Sequence, residues 1–254
     1  MSDKSEINIC NNDNRIAKNT IMLYFRMLLL MLVSLYTVRV VLAVLGDVDY
    51  GIFNVVGGIV SMFSFISASM VSASQRFLTF ELAKGDTVKL RQTFSMILTI
   101  YIFFSIAIIL LSETLGLAFI EYKLVIPESR NEAVLWVYHF SVLSFVFTIL
   151  TIPYNAIIIA HEHMSVFAYI SILEGVLRLL IVYLLCIFPC DKLKLYAILT
   201  FLVTLCISAL YCAYSRWRYP ESRCGFYWNK PLAKTILGYS GWNLLGAFSG
   251  VANS

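Results

Sequence analysis

Seven apolar stretches, each close to the length of a bilayer-crossing helix, occupy almost all of this 254-residue chain. About 20 apolar residues in an α-helix cross the roughly 30 Å of membrane hydrocarbon, and in lipid a backbone must satisfy its own hydrogen bonds. Runs of this length therefore predict helices, whereas a barrel would show alternating strands of about ten residues. With 60% hydrophobic and 13% charged residues, the chain has too little polar surface to solvate a soluble domain. The stretches are 21–45, 52–73, 93–119, 133–159, 166–188, 195–214 and 235 onward. The expected fold is all-α: a polytopic transmembrane bundle of six complete helices plus a seventh that Ser254 cuts short. It divides into a polar N-terminal tail (1–20), a six-helix lobe (21–214), a linker (215–234) and the start of the seventh helix (235–254).

Lysine and arginine in the short loops set the expected orientation. The tail (Lys4, Arg15, Lys18), the loop after span two (Arg76, Lys84, Lys89, Arg91) and the loop after span six (Arg216, Arg218, Arg223, Lys230, Lys234) carry twelve basic residues. The opposite loops carry four, Lys123, Arg130, Lys192 and Lys194. That asymmetry predicts a cytoplasmic N-terminus. The first span is too long for a signal-peptide core and lacks a small-residue cleavage site, so it reads as a retained helix. The positive charge is accounted for by topology and attraction to anionic headgroups, with no surface that calls for nucleic acid.

Bond chemistry finds no support. The six cysteines, Cys10, Cys186, Cys190, Cys206, Cys212 and Cys224, contain no CxxC, and only Cys186 and Cys190 are spaced to meet on one helical turn. His161-Glu162-His163 places its histidines two apart rather than the three or four of a helical metal site, and reads as a solvated turn. Neither a phosphate loop nor a nucleophile-base arrangement is present, so no enzyme, cofactor or metal is expected.

Information lies instead in polar residues set inside the membrane, where a charge near a helix centre costs roughly 2.5–3.5 kcal/mol on insertion scales. In span one, Arg26 and Arg39 are ~220° and ~20 Å apart on an ideal helix and cannot grip one small anion together. Both could snorkel to opposite headgroup layers. Alternatively Arg26 faces an interior cavity, where a guanidinium suits phosphate, with Thr37 on the same helix face. In span five, Glu174 and Arg178 have the spacing and order of an intrahelical ion pair; the rival reading is a site where Glu174 changes protonation during transport. Span four carries Ser141, Ser144, Thr148, Thr151 and Asn155 along one face and is expected to be disrupted at Pro153, which fits a water-lined cavity wall on a bending helix, or a helix-packing face. The small residues Gly57, Ser61, Ser64, Ala68 and Ser72 of span two suggest close helix packing.

Several motifs together resemble a known family. Asn19-Thr20-Ile21-Met22-Leu23-Tyr24-Phe25-Arg26-Met27, Leu35-Tyr36-Thr37-Val38-Arg39, Leu45-Gly46, Asp49-Tyr50-Gly51-Ile52 and Gln75-Arg76-Phe77 are similar to the N-terminal signature of Wzx-type polysaccharide repeat-unit flippases. These belong to the multidrug/oligosaccharidyl-lipid/polysaccharide exporter superfamily. Ile152-Pro153-Tyr154-Asn155-Ala156, Ala160-His161-Glu162-His163-Met164 and Ser240-Gly241-Trp242-Asn243 resemble its fourth helix, the following loop and the start of its seventh helix. The resemblance implies two six-helix lobes around a central cavity, of which this chain would hold the first. It also implies a bacterial inner-membrane transporter that flips undecaprenyl-pyrophosphate-linked oligosaccharide by alternating access. Arg26, Arg39 and Arg178 would then hold the pyrophosphate, Glu174 would serve coupling, and Thr37, Ser141, Ser144, Thr148, Thr151 and Asn155 would line the cavity. Implied partners are membrane lipids, the lipid-linked substrate, a polysaccharide polymerase and glycosyltransferases. A multidrug/cation antiporter of the same superfamily and a non-transporting scaffold for glycan assembly are the alternatives.

Overall fold

One glycine makes the first reversal of the chain. In the computed structural model, α1 (Ser2–Ser61) passes through Gly46 at φ 79°, ψ 170°, a left-handed φ that glycine adopts without a Cβ penalty. Before Gly46 the helix climbs beside α6 (Met164–Ile187): Arg26 meets Ser171, Leu30 and Val33 lie over Gly175, and Tyr36 lies 3.4 Å from Tyr183. After Gly46 it descends with α5 (Asn131–Ala160) and α7 (Lys192–Arg218), Phe53 stacking edge-on against Tyr196 and Val60 sharing a cavity wall with Phe145 and Thr148. The expected turn between spans one and two is thus present inside a single helical run. The structure describes residues 2–61, 64–123, 130–188, 191–223, 225 and 227–252, with side chains at all of these except 2–18, 61, 65–66, 121–123 and 244–252.

Helix α2 (Ser64–Lys84) carries the descending span past its predicted end at Ala73. Gly85, at φ 74°, stops it, and the Asp86 carboxylate then accepts the Lys89 backbone N–H at 3.0 Å to cap α3 (Thr87–Leu111). Ser112–Gly116 form a π-helical turn leading into α4 (Leu117–Lys123). Gly116 is required there because a Cβ would run into the Tyr138 ring, whose hydroxyl donates to the Ser112 carbonyl at 2.7 Å. α7 is followed by a short 3-10 turn (Pro220–Ser222) and by α8 (Lys230–Ala252), which packs on α2 and α3 with Tyr239 against Phe77 and under Arg76.

The molecule is an all-α bundle, with no strand among the described residues. Five helices among them are long and apolar enough to cross a membrane: Asn19–Val60, Thr87–Ile120, Asn131–Ala160, Met164–Ile187 and Lys192–Arg218. The first contains span one and the start of span two on either side of Gly46. Helix α5 is central, touching α1, α2, α3, α6 and α7. Two apolar cores are stacked along it. One, around Phe94, Ile97, Ile157 and Tyr211, lies toward the end bearing Arg216 and Arg218; the other, around Val56, Val137, Val182 and Leu193, lies toward the end bearing Arg130 and Lys192. Phe145 and Val203 border both. Outward faces stay apolar, with Tyr24, Leu28, Leu35, Phe103 and Leu180 exposed as on a helical membrane protein.

Candidate functional site

Near the level where the two cores meet, polar side chains from four helices enclose a cavity of about 350 Å³. The α6 wall places Ser171, Glu174 and Arg178 on one face, at steps of three and four. Glu174 Oε1 accepts two hydrogen bonds from Arg178, from Nη2 at 2.7 Å and Nε at 3.2 Å. Arg26 enters from α1. Its Nη1 donates to Ser171 Oγ at 3.0 Å and its guanidinium carbon lies 4.3 Å from the centre of the Phe167 ring. Its Nε is buried with no hydrogen-bond partner, and no carboxylate pairs with it among the described residues. Leu30 packs over Gly175 here, and a Cβ at that position would stand 2.9 Å from Leu30 Cδ2, so the Leu30 side chain would have to shift.

The α5 wall supplies Thr148, Thr151 and Asn155, and α7 supplies Thr204, Ser208 and Tyr211. Thr148 and Thr151 each donate their hydroxyl hydrogen to the carbonyl four residues back, at 2.9 and 2.7 Å, and Thr204 does the same to Thr200 at 3.0 Å. These hydroxyls therefore present oxygen lone pairs to the cavity, and the buried Asn155 Oδ1 adds a carbonyl oxygen with no partner among the described residues. One side of the cavity is cationic and the other is rich in acceptors. Two guanidiniums share it with one carboxylate, so it favours an anion by one charge.

Two further cavities adjoin it. One of about 310 Å³ is lined by Ser34, Thr37 and Tyr196 and shares Glu174 and Arg178. The other, about 430 Å³, is lined by Gly57, Ser64, Ser141 and Ser144 and shares Thr148, Thr204 and Arg178. Arg178 therefore borders all three. Of the residues singled out from sequence, Arg26, Arg178, Glu174, Thr148, Thr151 and Asn155 share the first cavity; Thr37 lies in the second, and Ser141 and Ser144 in the third. Arg39 is exposed and lines none of them.

Other expectations change. A Cβ on Gly57 would meet nothing within 4 Å, so that glycine opens a cavity wall rather than allowing a close helix approach. Helix α5 runs without interruption through the buried Pro153. The 161–163 segment is a turn with Glu162 exposed, but its two histidines are partly buried and engaged. His161 stacks on Tyr219 at 4.3 Å and its Nε2 lies 2.7 Å from Glu221 Oε1, while the Tyr219 hydroxyl lies 2.6 Å from His163 Nδ1. Burial pushes the Tyr219 phenol well above its usual range. This cluster fastens the α5–α6 loop to the segment after α7. Cys186 is a free thiol, and its expected neighbour Cys190 lies outside the described residues.

Sequence reading missed Ser171, Gly175, Thr204, Ser208 and Tyr211. The last three, spaced four and three apart in span six, repeat the polar-stripe signal used for span four. It also missed Glu113 and His139, which meet at 3.6 Å across the π-helical turn. Comparison with protein-family models, curated proteins and solved structures returns no match.

Proposed function

We propose that this chain is a membrane transporter component that flips undecaprenyl-pyrophosphate-linked oligosaccharide across the bacterial inner membrane, with its N-terminus in the cytoplasm. One observation carries the reading: Arg26 and Arg178, from different helices, converge on one intramembrane cavity with a single carboxylate between them. An always-charged, multidentate donor pair at that depth suits a phosphate-bearing headgroup. The acceptor-rich α5 wall suits the hydroxyl donors of an attached sugar. The motif resemblance around Arg26, Arg39 and Gly46 supports the same class.

In this reading Arg26, nearer the basic end, meets the pyrophosphate as it leaves the headgroup layer. Arg178, bordering all three cavities, receives it next, and the Thr37 cavity leads toward the opposite end. No covalent bond is made or broken. The test is translocation of a fluorescent undecaprenyl-pyrophosphate-linked sugar in proteoliposomes, together with rescue of a flippase-deficient strain. Arg26→Ala should abolish both while membrane insertion persists. Translocation at the wild-type rate by that variant would remove the central role of Arg26. Absence of translocation by the wild-type protein would favour a scaffold.

A further inference from the structure

The same cavity contains an anion of its own, which any anionic substrate must meet. Glu174 Oε1 occupies both Nη2 and Nε of Arg178, the two-pronged edge of the guanidinium that a phosphate would use. Among the described residues, Arg26 is partnered by a hydroxyl and an aromatic face and by no carboxylate. A substrate pyrophosphate can thus reach Arg26 directly, but gains the grip of Arg178 only if Glu174 lets go. A carboxylate released at this depth needs a new hydrogen-bond donor. Thr37 supplies one: it borders the cavity that Glu174 also lines, and its Oγ1 is buried with no hydrogen-bond partner among the described residues.

We propose that Glu174 is a built-in competitor for the substrate anion, which exchanges from Arg178 to Thr37 when the anion binds and so sets the affinity of the site. This rests on the anion-binding reading of the cavity. The exchange moves one carboxylate between two donors and breaks no covalent bond. It keeps Arg178 neutralised while the site is empty and keeps the anion from being held too tightly to leave. Affinity in this site is therefore a difference between two partners of one guanidinium.

The test is binding of inorganic pyrophosphate and of farnesyl pyrophosphate to the purified full chain in phosphatidylcholine nanodiscs, where no anionic headgroup competes. Glu174→Gln keeps the shape and an acceptor but removes the charge, and should tighten binding of both probes at least about tenfold. Glu174→Gln combined with Arg178→Gln should lose that gain. Thr37→Val should weaken binding several-fold in the wild-type background and have no effect on Glu174→Gln. Binding by Glu174→Gln that is equal to or weaker than wild type, with wild type binding and Arg178→Gln binding poorly, would overturn the exchange and leave the anion site standing. No binding by the folded wild-type protein and by every folded variant alike would overturn both. Should Glu174→Gln fail to fold, the wild-type protein carries the test. Farnesyl pyrophosphate should accelerate modification of Glu174 by dicyclohexylcarbodiimide, and protection instead would refute the release.

Discussion

Two charge clusters in this bundle balance cations and carboxylates differently. At the end near Gly46, Arg130 is shared by Asp49 at 3.0 Å and Asp191 at 3.3 Å, and Lys194 pairs with Glu132 at 2.8 Å. Every one of these cations has a carboxylate. Together they clasp the turn between the first two spans to the start of α5 and the α6–α7 loop, with Lys192 adding a bond to the Val44 carbonyl. In the mid-depth cavity Arg178 holds Glu174, and among the described residues Arg26 has no carboxylate. Within the clasp Asp49 is buried and holds Arg130, because an unpaired buried ion is costly. A surplus of one cation inside a membrane is stable only where an aqueous space or a ligand offsets it.

This contrast breaks most sharply with Arg26→Ala set against Arg130→Ala. The cavity variant should lose at least about 100-fold in affinity for pyrophosphate with little change in thermal unfolding. The clasp variant should do the reverse, keeping anion affinity while losing about 2 kcal/mol of stability, discounted for the partial exposure of Arg130. Parallel binding and melting curves for both variants check the pair. Loss of binding in both would mean that the two clusters are one unit.

Gly175→Leu comes next. The added side chain must displace Leu30, so stability should fall by about 1–3 kcal/mol and anion binding should weaken as Arg26 is carried away from Ser171. Gly57→Ala, where a Cβ meets nothing, serves as the comparison and should leave the melting temperature nearly unchanged. The smallest effect is expected from Thr151→Val. Its hydroxyl is bonded within its own helix, so unfolding should shift by no more than about 0.5 kcal/mol. Binding of a sugar-bearing pyrophosphate should weaken a few-fold while inorganic pyrophosphate binds as before. Equal weakening of both would put Thr151 on the anion side of the cavity.

Much of the fold was legible because apolar length is a one-dimensional signal. A run such as 166–188 has no other stable form in lipid than a helix, and α6 follows it within two residues at the N-terminal end and one at the C-terminal end. The site was only partly legible. Glu174 and Arg178 declare their pairing by spacing alone, and the α5 hydroxyls declare a common face. Arg26 was marked as the cavity candidate by sharing a face with Thr37, but snorkelling stayed open for it as for Arg39, since helical periodicity says nothing about which neighbour fills each side. Glu113 and His139 were invisible because they lie on separate helices and a π-helical turn shifts the face on which Glu113 stands.

What the sequence by itself determined is the helical character and order of the spans, the reversal between the first two, and the presence of charges that require partners. Hydrophobic length and local backbone sterics act between residues near in the chain. Which of those charges meet was decided only by the tertiary structure. Helix α1 packs against α6 with Leu30 over Gly175, and Arg26 reaches Ser171 and the Arg178 cavity, whereas Arg39, on the same helix, is left exposed. The balance of two cations to one carboxylate is a property of helices brought together, and no stretch of the chain contains it.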